Sequence, residues 1–103
     1  MLKSIEIPQH KIAQFCQRWG IHELAFFGSV LRDDFTPESD IDVLVSFRDG
    51  KRFSFSDLAN MEQELEAILG RPVDVGTRRS VEEDENYIRR KAILDSAQVI
   101  YAE

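Results

Sequence analysis

The chain has 103 residues, 43% of them hydrophobic and 31% charged, with both signs interleaved. That is enough apolar material for one core and too little length for a second, so residues 1–103 are expected to form a single soluble domain. A formal charge of −6 excludes a protein that grips nucleic acid by neutralising many phosphates, and no run approaches the ~18 consecutive apolar residues of a membrane span, which leaves the cytoplasm as the expected location.

Pro8 suits the first turn of a helix, and Ile12, Phe15, Cys16 and Trp19 then recur at helical spacing until Gly20 closes it. Cys16 is the single cysteine, so no internal disulfide forms; its place on the apolar stripe predicts a buried thiol. Glu23 to Phe27 reads as a short strand, buried on both faces because Leu24-Ala25-Phe26-Phe27 is continuously apolar. After Gly28, Ser29 to Asp33 has the length of one or two helical turns with Ser29 as N-cap, and Thr36-Pro37-Glu38-Ser39 is a loop. Ile41 to Phe47 is the second strand, followed by a turn at Arg48-Asp49-Gly50-Lys51.

Ser54 starts the best-marked helix, with Asp57 three residues on, an apolar stripe of Leu58, Met61, Leu65, Ile68 and Leu69, and Gly70 and Pro72 as stops. Val73-Asp74-Val75 alternates as a strand does, with the aspartate facing away from the valines. Ser80-Val81-Glu82-Glu83 has the pattern of a capping box, so one helix is expected from there to about Leu94, with Glu82 to Glu85 as first-turn acids. Val99-Ile100-Tyr101 offers a last strand. His10 and His22 have no metal-ligand spacing and read as a helix surface and a strand start. The Arg78-Arg79 and Arg89-Arg90-Lys91 clusters suit either a solvated face or a partner-facing patch.

One stretch stands apart from this scaffold. A Gly28-Ser29 pair follows the first strand, and Asp40-Ile41-Asp42 opens the second. Side chains alternate along a strand, so Asp40 and Asp42 project on one face while Ile41 and Val43 take the other. Paired carboxylates without a counter-charge repel one another, whereas a divalent cation favours both ionised forms. Hard oxygen ligands of this kind suit Mg²⁺ or Mn²⁺ better than Zn²⁺. Gly28 lets backbone approach a phosphate closely, Ser29 adds a hydroxyl donor, and Arg32 one turn later is either a phosphate contact or a surface residue. Taken alone, an Asp-x-Asp at a strand start is common and often merely solvated, as is an aspartate such as Asp74 on an alternating strand. The conjunction of the three segments gives the metal reading its weight.

Gly28-Ser29, ten intervening residues, then Asp40-Ile41-Asp42 resembles the signature of the nucleotidyltransferase fold shared with the DNA polymerase beta superfamily. Ser39 immediately before the first aspartate adds to the likeness, as does Arg71-Pro72-Val73-Asp74-Val75 after a helix. The chain looks most similar to the minimal nucleotidyltransferases that serve as MntA-type antitoxins beside HEPN-domain ribonuclease toxins. The resemblance implies an α+β fold, a small mixed sheet of three to four strands with helices packed on one side. It also implies that Asp40, Asp42 and Asp74 ligate Mg²⁺, as two ions, that Asp74 takes the nucleophile's proton, and that Gly28, Ser29, Ser39 and Arg32 lie on the nucleotide side. The implied reaction transfers AMP from ATP to a tyrosine of the cognate HEPN toxin.

Two other readings stay open on the residues. The chain is alternatively a binding module that neutralises a partner by occlusion, or a nucleotidyltransferase for a small-molecule or RNA hydroxyl. The acidic balance counts against RNA, and the lack of the extra helical domain of larger relatives counts against a shaped drug pocket.

Overall fold

A computed structural model describes residues 7–28, 40–49 and 52–103. The order is α1 (Gln9–Trp19), β1 (Ile21–Phe27), β2 (Ile41–Phe47), α2 (Phe55–Leu69), β3 (Val73–Thr77), α3 (Arg78–Glu82), α4 (Tyr87–Ser96) and β4 (Gln98–Ala102). The expected helix at Ser29 to Asp33 and the loop at Thr36 to Ser39 lie outside the described residues.

The four strands form one mixed sheet in the order β3-β2-β1-β4. β1 pairs antiparallel with both β2 and β4, while β2 and β3 run parallel. A parallel neighbour needs a crossover, and α2 supplies it. Ile12, Phe15 and Cys16 of α1, with Met61 and Leu65 of α2, pack in one buried cluster with Leu24, Phe26, Ile41, Val43 and Val45 of the sheet. Leu24, Ala25 and Phe26 are all buried, so β1 is covered on both faces as its continuous apolar run predicts. Burial pushes the Cys16 thiol up to about 12, which makes it an inert core side chain.

α2 matches its sequence signals closely. Ser54 accepts a hydrogen bond from the Asp57 N–H and the Asp57 carboxylate accepts one from the Ser54 N–H, while Gly70 ends the helix at φ 75°. Glu64 of α2 accepts from Trp19 Nε1 at 3.0 Å and from Arg18, tying α2 to α1.

The C-terminal third departs from expectation. Instead of one helix from Ser80 to about Leu94 there are two, and Ser80 lies inside the first. Thr77 is the cap: its hydroxyl accepts from the Ser80 N–H at 3.1 Å, so the helix starts at Arg78. Glu83 ends it, Asp84 accepts from the Asn86 N–H and from Arg89 Nε, and Asn86 caps α4 through the Arg89 N–H. Glu82 and Glu83 are therefore at a helix C-terminus, where they pair with Arg78 and Arg79 one turn back. The strands are also longer than the alternation suggested: β1 starts at Ile21 and β3 runs on to Thr77.

Candidate functional site

Register brings the motif residues together. Asp42 pairs with Phe27 across β1 and β2, and with Asp74 across β2 and β3. Cross-strand partners share a face, so Asp42 and Asp74 project side by side, two strands contributing one carboxylate each. Asp40 precedes β2 by one residue, and the Ile41 N–H donates to the Pro72 carbonyl at 2.9 Å, holding the starts of β2 and β3 level.

Gly28 leaves β1 at φ 75°, a conformation that disfavours any side chain. A Cβ at this position would stand 2.4 Å from Asp42 Oδ2. Glycine is thus required twice, by its backbone angle and by the carboxylate lying against it. Of the other predicted site residues, Ser29, Arg32 and Ser39 lie outside the described residues.

The electrostatics single out Asp42. The Asp42 carboxyl is held above its usual range, first by burial and then by the negative charges of Asp74 and Asp40. Among the described residues no three His, Cys, Asp or Glu side chains converge into a ready-made ligand group. Register sets Asp42 beside Asp74, and a hard cation would relieve both the repulsion felt by Asp42 and its burial penalty. An all-oxygen donor set beside a glycine-lined surface fits Mg²⁺ or Mn²⁺ carrying a polyphosphate.

Two further side chains touch the segment that carries Asp74. Glu62 Oε2 accepts from the Val75 N–H at 2.8 Å and Glu66 Oε2 from the Val73 N–H at 3.5 Å. Sequence reading passed over both, because glutamates one turn apart on an amphipathic helix look like ordinary solvent-facing residues. A cavity of about 960 Å³ opens elsewhere, at the far end of the sheet, between Phe47, Phe53, Arg48, Arg78 and Arg79. It contains none of the three aspartates.

Comparison with known proteins identifies the family. Residues 10–100 match the family model described as a nucleotidyltransferase domain. A Methanocaldococcus jannaschii protein provisionally named a protein adenylyltransferase is 40% identical over 78 residues, 76% of this chain and 82% of its own length. The protein adenylyltransferase MntA of Thermococcus cleftensis is 35% identical over 82 residues, 78% of this chain and 80% of the relative. A crystal structure of a toxin–antitoxin with AMP-PNP superimposes with a TM-score of 0.71 at 17% identity, covering 94% of this chain and 75% of that one. A tri-AMPylated Shewanella oneidensis HEPN toxin in complex with its MNT antitoxin matches at a TM-score of 0.62 and 18% identity, over 92% and 70% of the two chains. At such identities the two structures speak for the fold, an α/β nucleotidyltransferase sheet with its helices. The match over residues 10–100, together with the adenylyltransferase relatives, places this chain in the nucleotidyltransferase domain family, as an enzyme of the minimal, MntA-like kind.

Proposed function

We propose that the chain, acting as a single domain in the cytoplasm, is a Mg²⁺-dependent protein adenylyltransferase. It moves AMP from ATP to a tyrosine hydroxyl of a cognate HEPN-domain toxin and thereby acts as its antitoxin. The observation that carries this reading is the Asp42–Asp74 register, with Gly28 against Asp42 and Asp40 two residues away. The relatives support the donor and the acceptor class: one neighbour holds AMP-PNP, and another is bound to a HEPN toxin that carries AMP. Among the described residues no helix is long and apolar enough to cross a membrane.

In this reading Asp40, Asp42 and Asp74 hold the metal, and Gly28, Ser29, Ser39 and Arg32 face the triphosphate. Bound Mg²⁺ supplies positive charge to the triphosphate and to the oxygens that gain charge during transfer. The chain's own residues do the rest. Gly28 keeps the Asp42 carboxylate in place and leaves the backbone open to the phosphates. Asp74 sits at the exposed edge, where an acceptor hydroxyl can approach, and takes its proton. The acceptor oxygen bonds to the α-phosphorus, the bond to the bridging oxygen breaks, and pyrophosphate leaves with the electron pair.

Intact-mass analysis of the toxin after incubation with this chain and Mg·ATP tests the proposal. AMP-sized increments that vanish with Asp42→Asn are expected, together with loss of toxin neutralisation. No increment, and full neutralisation by Asp42→Asn, would instead mean neutralisation by occlusion.

A further inference from the structure

Among the described residues β3 is an edge strand, paired with β2 on one side. Asp74 shares its register position with Asp42, yet among the described residues no second strand holds the segment on which it sits. Edge strands present a row of outward N–H groups that are mobile or prone to stray pairing unless something covers them. Here α2 covers them: the Val75 and Val73 N–H groups, one on either side of Asp74, donate to the carboxylates of Glu62 and Glu66. The Glu62 bond is the shorter, at 2.8 Å against 3.5 Å. A charged acceptor makes such a bond stronger than a neutral one. The helix that carries both is itself anchored, by its capping box and by the Glu64 bonds to Trp19 and Arg18.

We propose that Glu62, seconded by Glu66, is a positioning residue for Asp74: it replaces the missing strand neighbour and holds the third carboxylate level with Asp42. The inference rests on the reading of Asp74 as a metal-site residue. Its logic is that of any outer-shell group, which acts on a ligand by fixing the backbone or side chain that bears it. Neither glutamate touches metal or nucleotide in this account. Glu62 acts through the peptide unit that joins Asp74 to Val75, and Glu66 through the one that joins Pro72 to Val73.

The test uses Mn²⁺ as probe, with its affinity for the full chain plus ATP read by electron paramagnetic resonance, and amide hydrogen exchange at Val75 read in the metal-free protein. Glu62→Ala should weaken Mn²⁺ binding by about 10–100-fold and speed exchange at Val75, with the melting temperature nearly unchanged. Glu62→Gln keeps an acceptor oxygen while losing the charge, so it should restore both readouts toward wild type. Should Glu62→Ala and Glu62→Gln weaken Mn²⁺ binding equally while exchange at Val75 stays at the wild-type rate in both, the carboxylate acts through its charge and the positioning role is overturned. It is likewise overturned if Glu62→Ala and Glu62→Ala/Glu66→Ala bind Mn²⁺ like wild type while Asp74→Asn does not. Self-association of the alanine variants with unaltered Mn²⁺ affinity would make the pair a guard of the sheet edge alone. If Asp74→Asn itself leaves Mn²⁺ affinity intact, the metal-site reading fails first and the positioning role with it.

Discussion

At the start of β2 the Asp42 carboxyl is held above its usual range by burial and by the charges of Asp74 and Asp40; about 16 Å along the strand, at its other end, arginines and carboxylates are matched in pairs. Arg78 reaches Glu23 at 3.2 Å and Glu82 at 3.4 Å, Arg79 lies 3.6 Å from Glu83, and Arg48 pairs with Glu103. The cavity of about 960 Å³ lies at that paired end and the candidate site at the other. A site for a cation and a polyphosphate is marked by a carboxylate whose ionised form is disfavoured, as at Asp42, whereas paired surface ions contribute little.

The largest effects should come from the aspartate end. Asp42→Asn or Asp74→Asn should lower AMP transfer by about 10²–10³-fold, measured as toxin mass increments over time, and chelation of divalent metal with EDTA should abolish it. Asp42→Asn should also change how stability depends on pH. Because the folded protein raises the Asp42 pKa, the stability Asp42 contributes is present in acid and lost as pH rises through that value. Thermal denaturation in EDTA from about pH 4 to pH 7 should show this loss in wild type and less of it in Asp42→Asn. If the variant's curve follows that of wild type, the carboxylates do not strain one another.

Gly28→Ala should separate the two reasons for glycine. The 2.4 Å approach is to the end of a side chain that can swing away, so stability should fall by only about 1–2 kcal/mol, from the positive φ. Transfer should fall much further, since the displaced group is the Asp42 carboxylate. A kinetic loss no larger than the stability loss would dissociate Gly28 from the site. Ser54→Ala, beside the far cavity and away from the aspartates, should cost about 1 kcal/mol through the lost cap and leave transfer unchanged, as chemical denaturation and the mass assay would report. The smallest effect belongs to the matched end: Arg79→Ala should alter stability by less than about 0.5 kcal/mol. A large loss of activity from that change would reverse the comparison and make the far cavity part of the site.

α2 was legible in the sequence because its signals are local and agree: cap, apolar stripe and terminal glycine all mark one segment. The α3–α4 break was not, since Thr77, Ser80 and Asn86 are all competent caps and their competition is decided by where β3 ends. Its extension to Thr77 hands the first cap to that residue. Much of the candidate site was readable too. The Gly28-Ser29 pair and the Asp40-Ile41-Asp42 spacing are patterns within short segments, and alternation alone orients Asp74 away from the valines.

By itself, then, the sequence determined the elements that rest on neighbouring residues and the three segments that carry the candidate chemistry. Only the tertiary structure decided that Gly28 backs onto Asp42, that Asp42 faces Asp74, and that glutamates of α2 grip the edge of β3. The physical reason is that strand register and helix docking are set by long-range burial of the Val43, Val45, Met61 and Leu65 core. No spacing within one segment encodes which residue of another will lie across from it.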